Sequence, residues 1–163
     1  MPERYLFALW LLLAAFVVLL DQSTKIAVMS GLGYGDSVSI TPFFNLVLVF
    51  NTGAAFSLLA GAGGWQHWFF VSLALGVSAW IIWMLYRHAR SCSLSVALSL
   101  VLGGALGNLA DRLRLGAVVD FLDFHWGGWH WPAFNVADAA IVIGVAWLLV
   151  AHWGTATEEG SQA

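Results

Sequence analysis

The sequence predicts an α-helical integral membrane protein, with four transmembrane helices and a small β-sheet and loops at the membrane surface. Composition is the first reason, because 61% of the 163 residues are hydrophobic and only 9% are charged. A soluble domain carries about 25% charged residues. The second reason is the presence of four apolar segments of about 20 residues, the length that a helix needs to span a bilayer. A single membrane domain is predicted over residues 1–163.

The predicted transmembrane helices cover about residues 6–28, 67–86, 93–112 and 134–153. Tryptophans lie near several of the predicted helix ends, as they do in the aromatic belts of membrane proteins. The polar residues 154–163 are predicted to form a disordered tail.

The first helix is predicted to be retained in the membrane rather than removed as a secretory signal. An apolar run follows Arg4, as in a signal peptide, but no small residues at cleavage-site spacing close it. The run ends instead in Asp21-Gln-Ser-Thr-Lys25, and three more apolar segments follow.

A surface β-segment is predicted at about residues 38–56, between the first two helices. Residues 43–50 are rich in aromatic and β-branched types, and they are bounded by Pro42 and by Asn51-Thr-Gly53. Asn before Gly suits a tight turn, and Gly53 lets another backbone or a ligand approach closely. Taken alone, this pattern is more often only a turn.

Charge and cysteine content exclude several classes of function. The net charge of −3 comes without a basic cluster, so no nucleic-acid partner is predicted. The single cysteine, Cys92, excludes an intramolecular disulfide and a CxxC metal or redox site. The glycines form neither a phosphate-binding loop nor a dinucleotide fingerprint, and no cofactor is predicted.

Two aspartates, Asp120 and Asp138, are the main candidates for chemistry. Asp138 lies inside the last apolar run, about 9 Å along a helix that starts near Pro132. A charge at membrane depth costs about 3 kcal/mol or more, so such residues are mostly functional. Two carboxylates that can meet suggest acid–base chemistry on water. Asn135 stands three residues before Asp138, so both side chains can face one cavity.

Other polar residues in the apolar helices are candidate supports of the site. Asp21 and Lys25 have i,i+4 spacing and can pair, either as a purely structural ion pair or as a brace beside a polar cavity. Asn108, Asp111 and Arg112 close the third helix, and a polar group there is expensive unless it is paired. A structural cluster and a substrate clamp are equally open readings of these three residues.

Two further catalytic options have less support. Ser23 and Lys25 resemble a nucleophile pair, but i,i+2 spacing on a helix points their side chains apart. Asp123, His125 and His130 lack any metal-binding motif, and no metal site is predicted.

Four spans place both chain termini on the same side of the membrane. The basic residues of the terminal side lie in loops or at the chain end (Arg4, Arg87, Arg90), whereas those of the other side lie in polar motifs (Lys25, Arg112, Arg114). Because pairing can explain the second group, the first group decides the topology, and the termini are predicted to be cytoplasmic.

The polar motifs, taken together and in order, resemble those of the bacterial lipoprotein signal peptidases, the type II signal peptidases. The resemblance covers nearly the whole chain and rests on five segments: Asp21-Gln-Ser-Thr-Lys25, Phe50-Asn-Thr-Gly-Ala-Ala-Phe56, Gly107-Asn-Leu-Ala-Asp-Arg112, Val118-Val-Asp-Phe-Leu-Asp123 and Phe134-Asn-Val-Ala-Asp138.

This resemblance implies an aspartyl protease of the bacterial inner membrane, with its active site towards the periplasm. Such enzymes remove signal peptides from prolipoproteins whose cysteine already carries diacylglycerol. Asp120 and Asp138 correspond to the catalytic pair, and the resemblance gives supporting or substrate-holding roles to Asp21, Asn51, Asn108, Arg112 and Asn135. The expected partners are prolipoproteins and membrane lipids, and a monomer is expected.

Two functions from other classes remain as alternatives. A proton-coupled transporter or channel can use Asp138 and Asp21 as relay sites, but it favours polar residues spread across the membrane and related halves. Here the polar residues gather near one face, and the two halves are unlike each other. A structural membrane subunit leaves the two aspartates unexplained.

Overall fold

The computed structural model of the protein describes residues 2–53 and 63–160, and side chains as far as residue 151. Residues 54–56 of the predicted β-segment therefore lie outside the described residues. The elements of the described part are α1 (Glu3–Gly31), β1 (Ser37–Thr41), β2 (Phe44–Asn51), α2 (Trp65–Arg87), α3 (Cys92–Leu115), β3 (Val118–Trp126), β4 (Trp129–His130) and α4 (Val136–Gly160).

The prediction of a helical membrane protein with a small sheet is confirmed. In the described part of the chain, three helices (α1, α2 and α3) are long and apolar enough to cross a membrane. The fourth helix, α4, is apolar over Val136–Ala151. Its backbone continues to Gly160, so the tail predicted to be disordered from residue 154 is helical up to that point. No proline interrupts the helix there.

Helix α3 lies at the centre and packs against α1, α2 and α4. Glycines on α3 make close packing possible, because a side chain at these positions has no room. A Cβ atom at Gly103 would lie 2.6 Å from Val17 Cβ on α1, and one at Gly104 would meet the carbonyl oxygen of Ala137 on α4. Close approach of backbones through small residues is typical of membrane helices.

At the end of the helix bundle that carries the N-terminus, the helices pack through apolar residues. Trp10 is buried there among residues of α1, α2 and α3, and its Nε1 donates a hydrogen bond to the carbonyl oxygen of Ala89 at 2.8 Å. At the same end, an exposed ion pair joins Glu3 to Arg90 at 2.8 Å. The sheet lies at the opposite end, beside the last residues of α1 and α3 and the first residues of α4.

The four strands form an antiparallel sheet in the order β1-β2-β3-β4. Strand β2 lies within the predicted β-segment, whereas β3 and β4 lie in a stretch that the sequence left without a predicted element. The register places Val49 of β2 opposite Asp120 of β3 and Asn51 opposite Val118. Asn51, at the end of β2, is therefore brought to the strand that carries Asp120.

A short bridge connects the sheet to the start of α4. Phe134 accepts backbone hydrogen bonds from Phe121 at 3.0 Å and from Leu122 at 2.9 Å, and its own N–H donates to the carbonyl oxygen of Leu122 at 3.1 Å. The chain enters α4 directly after this bridge. As a consequence, the first turn of α4 lies beside the first half of β3.

Candidate active site

Asp120 and Asp138 lie on the two elements that this bridge joins. Asp120 is on β3 and only 3% exposed, and Asp138 is half-buried in the first turn of α4. The depth predicted for Asp138, about 9 Å into its helix, is too great, because α4 begins at Val136 and not near Pro132. Phe134 and Asn135, which lie between Pro132 and Val136, form the bridge and the helix cap instead.

Asn135 connects the two carboxylates. Its side chain is fully buried, and its Nδ2 donates to Asp120 Oδ1 at 2.8 Å. Its Oδ1 accepts a hydrogen bond from the backbone N–H of Asp138 at 2.8 Å, and Asp138 Oδ2 accepts one from the backbone N–H of Asn135 at 3.3 Å. This reciprocal arrangement is a capping box, in which the cap residue and the third helical residue satisfy each other.

Two further asparagines complete the hydrogen bonds of the pair. Asn51 Nδ2 donates to Asp120 Oδ2 at 3.1 Å, and Asn108 Nδ2 donates to Asp138 Oδ1 at 2.8 Å. Amide N–H groups favour the ionised form of a carboxyl group, whereas burial favours the neutral form. Each carboxyl group is therefore held in a fixed orientation by donors on at least two different residues or backbone groups.

Burial dominates the electrostatics of Asp120. Burial, and after it the nearby carboxylate of Asp138, raise the pKa of Asp120, while the hydrogen bonds from Asn51 and Asn135 and the charge of Lys25 lower it; the net result is a pKa of about 7. A carboxyl group with a pKa near neutrality can hold a proton and release it at physiological pH.

A buried ionic cluster lies directly behind Asn108. Lys25 Nζ lies 2.8 Å from Asp21 Oδ2 and 2.6 Å from Asp111 Oδ2, and it donates to Asn108 Oδ1 at 3.0 Å. The Asp21 carboxylate accepts from the backbone N–H of Ala137 at 2.9 Å, and that of Asp111 accepts from the N–H of Val119 at 3.2 Å. A buried ion pair is tolerated when further hydrogen bonds satisfy its oxygens. The cluster thereby attaches α1 and α3 to β3 and α4.

Gln22 belongs to this cluster, although the sequence singled out only its neighbours. Its Nε2 donates to Asp111 Oδ1 at 2.8 Å and also lies 3.2 Å from the carbonyl oxygen of Gly107, and its Oε1 accepts from Arg114 at 3.1 Å. The available signal was a polar amide within an apolar helix, beside Asp21. Ser23, by contrast, is exposed and points away from the buried Lys25.

Arg112 attaches the end of β2 to α3. Its Nη2 donates to the carbonyl oxygen of Gly53 at 3.0 Å, and its Cζ lies 5.1 Å from the centre of the Phe70 ring. The N–H of Gly53 in turn donates to Asn51 Oδ1 at 2.9 Å, which orients the Asn51 amide towards Asp120. Of the predicted turn, the described residues 51–53 are thus part of the site.

Asp123 lies apart from the candidate pair. It accepts hydrogen bonds from Asn45 Nδ2 at 2.9 Å and contacts His130 Nδ1 at 2.9 Å, and the rings of His125 and His130 stack with centroids 5.0 Å apart. Burial raises the pKa of Asp123, but the hydrogen bonds from His130 and Asn45 and the charges of both imidazoles outweigh it and hold the pKa below its ordinary value.

A cavity of about 500 Å³ contains the two aspartates. Its polar end is formed by the aspartates and their supporting residues, and the rest of its lining is almost entirely apolar. Residues of α4 form one wall, of which Val142 is 66% exposed on the outer surface of the helix bundle. The lining residues are Asn51, Gly53, Asn108, Arg112, Val118, Asp120, Trp131, Pro132, Ala133, Phe134, Asp138, Ala139, Ile141, Val142 and Ile143. Ligand sites are typically apolar cavities with a few converging polar groups.

A helical membrane protein with two hydrogen-bonded carboxyl groups in one apolar cavity has the elements of a membrane hydrolase. The family model described as "Signal peptidase (SPase) II" matches residues 13–154. The chain belongs to the signal peptidase II family, and the resemblance inferred from the five sequence segments is confirmed.

Individual relatives agree with this assignment. The lipoprotein signal peptidase of Cupriavidus taiwanensis is 57% identical over 142 residues, which cover 87% of this chain and 81% of the relative. The lipoprotein signal peptidase of Ralstonia nicotianae is 57% identical over 141 residues, covering 86% of this chain and 82% of the relative. That of Paraburkholderia phymatum is 56% identical over 140 residues, with 86% and 84% covered.

Solved structures share the fold. A bacterial membrane enzyme determined by the in meso method matches with a TM-score of 0.83 and 33% identity, covering 93% of this chain and 91% of that one. A second bacterial membrane enzyme structure matches with a TM-score of 0.77 and 35% identity, covering 88% and 92%.

Proposed function

We propose that this protein removes signal peptides from prolipoproteins that carry a diacylglyceryl group on their cysteine, by hydrolysing the peptide bond before that cysteine. The observation that carries the proposal is the link made by Asn135, which holds Asp120 and Asp138 together at the polar end of an apolar cavity. Membership of the signal peptidase II family, with relatives named lipoprotein signal peptidases, supports the substrate class.

The proposed reaction uses water as the nucleophile and needs no covalent intermediate. One carboxylate of the pair accepts a proton from water while the water oxygen attacks the scissile carbonyl carbon, and the other carboxyl group donates its proton to the leaving nitrogen. The new C–O bond and the broken C–N bond leave a carboxylate on the signal peptide and an amine on the cysteine. The near-neutral pKa of Asp120, about 7, suits a group that must hold and release a proton.

The cavity suggests how such a substrate is held. An extended peptide fits beside Asn51 and Gly53 at the end of β2, where Arg112 fixes the turn by binding the Gly53 carbonyl oxygen. Acyl chains fit along the apolar wall formed by Ile141 and its neighbours on α4. In this proposal the site is supported by the buried ionic cluster of Asp21, Lys25 and Asp111 through Asn108. No metal or other cofactor takes part.

The proposed location is the bacterial inner membrane, with the protein as a monomer and both termini in the cytoplasm. The described basic residues at the helix end opposite the sheet include Arg4, Arg87 and Arg90. An excess of Lys and Arg in short loops favours the cytoplasmic side. The two aspartates at the other end then face the periplasm.

The proposal is tested with purified protein in lipid nanodiscs and two synthetic precursor peptides of the same sequence, one with a diacylglyceryl cysteine and one unmodified. We expect mass spectrometry to find cleavage only of the lipidated peptide, before the cysteine. In water enriched in ¹⁸O, the label is expected in the new carboxyl group of the signal peptide. Failure to cut the lipidated peptide, or a cut at another bond, contradicts the proposal.

A further inference from the structure

Lys25 lies next to the site but does not line its cavity. It is fully buried and absent from the cavity lining, yet its Nζ lies 3.0 Å from Asn108 Oδ1. The other end of the same amide, Asn108 Nδ2, lies 2.8 Å from Asp138 Oδ1. A single asparagine side chain therefore separates the buried cation from one of the two candidate carboxylates.

The chemistry of these neighbours fixes which way the Asn108 amide points. A lysine ammonium group has only donors, and the Nδ2 of Asn135, 3.2 Å from the same Asn108 oxygen, is also a donor. The atom of Asn108 that faces both of them must be the acceptor oxygen. Its NH₂ group must then face Asp138, where it can only donate.

The two carboxyl groups have different surroundings. Asp138 accepts from Asn108 and from a backbone N–H, and it lies in the first turn of α4, where the helix dipole favours a negative charge. Asp120 lies on a strand, without a helix dipole, and burial together with the charge of Asp138 raises its pKa to about 7. Among the residues that the structure describes, the other charged groups near the pair are Lys25 and Asp21 from α1 and Asp111 and Arg112 from α3.

We propose that Lys25 is a positioning residue: by fixing Asn108 as a donor to Asp138, it makes Asp138 the ionised base and leaves the proton of the pair on Asp120. This inference rests on the proposed function and assigns the roles within it. Asp138 takes the proton of the attacking water, and Asp120 gives its own proton to the leaving nitrogen. A proton must then return from Asp138 to Asp120 before the next cycle.

The assignment can be read without any substrate, from the infrared C=O stretch of protonated carboxyl groups in the full-length protein. In an Asp120→Asn variant only Asp138 remains of the pair, and in an Asp138→Asn variant only Asp120 remains. Over a titration from pH 4 to pH 9, we expect the protonated-carboxyl band to persist to higher pH in Asp138→Asn than in Asp120→Asn. The opposite order, or the same midpoint in both variants, overturns the assignment.

The role of Lys25 is tested in the same two backgrounds with the double substitution Lys25→Met and Asp111→Asn. This change removes one positive and one negative charge, so the net charge of the cluster is kept while the donor to Asn108 is lost. In the Asp120→Asn background we expect the remaining carboxyl group to take up its proton about one pH unit higher or more. In the Asp138→Asn background the titration of Asp120 is expected to move much less. Equal shifts in both backgrounds, or none, overturn the role of Lys25.

A substitution outside the ionic cluster, Asn108→Leu, tests the same proposal if the double variant does not fold. Asn108→Leu leaves Lys25 paired with both of its carboxylates and removes only the amide, so it must produce the same selective shift of Asp138. A folded Asn108→Leu protein without that shift overturns the proposal. Asn45→Leu removes a comparable amide, 2.9 Å from Asp123, and serves as the matched control. Failure of the peptide-cleavage test contradicts the proposed function, whereas failure here contradicts only the assignment within it.

Discussion

Asn135 and Asp138 form the capping box at the start of α4, and the Asn135 side chain also binds Asp120, the other candidate carboxylate. The amide oxygen of Asn135 accepts from the Asp138 N–H at 2.8 Å, while its NH₂ group donates to Asp120 at 2.8 Å. The hydrogen bonds that begin the helix are therefore also bonds of the site. Stability and activity are expected to fall together when this asparagine is changed.

Asn135→Ala removes a helix cap and leaves buried partners without a hydrogen bond. We expect the free energy of unfolding to fall by about 2 kcal/mol and cleavage to be lost. Thermal unfolding in detergent and the peptide assay measure the two effects. Asn45→Ala, which removes an amide bonded to Asp123 outside the cavity, should retain most of the activity. Unchanged stability of the Asn135 variant would contradict the capping role.

Asp120→Asn and Asp138→Asn each remove one carboxyl group while keeping its shape. We expect either substitution to abolish cleavage of the lipidated peptide, because one proton acceptor and one proton donor are both needed. Both proteins should still insert in the membrane and unfold cooperatively. Asp123→Asn is the matched control, since Asp123 bonds to His130 and Asn45 and does not line the cavity. Comparable loss in the control would show that the wrong carboxylates have been chosen.

The pH dependence of cleavage should report Asp120. Because burial and the charge of Asp138 raise the pKa of Asp120 to about 7, this carboxyl group is protonated below that pH and ionised above it. If it donates the proton, kcat/KM holds below pH 7 and falls about tenfold for each pH unit above it. The measurement is kcat/KM from pH 5 to pH 9.

A second variant tests the sign of this effect. The hydrogen bond from Asn51 lowers the pKa of Asp120, so its removal in Asn51→Ala should move the alkaline fall to higher pH. A fall that stays in place or moves to lower pH rules out Asp120 as the group responsible.

Gly107→Ala tests the close packing behind the site. A Cβ atom at this position would lie 2.7 Å from Asp21 Oδ2 and 3.3 Å from Ala137 Cβ, so the ionic cluster must shift. We expect a loss of about 1–3 kcal/mol in the free energy of unfolding, together with reduced activity. Gly76→Ala on α2 is the control, because that glycine is helical, exposed and has no atom within 4 Å of the added methyl group. The control should be neutral or slightly stabilising.

Much of the membrane fold was predictable from the sequence, because a bilayer demands long apolar helices. The start of α4 was predicted too early, because Phe134 and Asn135 directly precede the apolar run and were counted as part of its helix. In the structure Phe134 forms the bridge to the sheet, and Asn135 caps the helix. Those roles depend on β3, which a periodicity argument about α4 does not include.

Strands β3 and β4 were missed, although a local signal was present. Gly127 and Gly128 stand between two aromatic residues and both have positive φ, of 56° and 84°, as a two-residue hairpin turn requires. The strand β3 itself contains β-branched and aromatic residues, Val118, Val119, Phe121 and Phe124, which favour a strand. The orientation of the Asn108 amide, in contrast, depends on donors from α1 and from the start of α4, and no single segment of sequence contains that information.

The wall of the cavity on α4 is also part of the outer surface of the bundle, where Val142 is 66% exposed. For a substrate anchored by acyl chains, the bilayer is then the solvent in which enzyme and substrate meet. The relevant substrate concentration is a mole fraction of lipid in two dimensions, not an amount per volume of buffer. Adding inert lipid at constant enzyme and substrate should slow cleavage by dilution alone, without any change in the site.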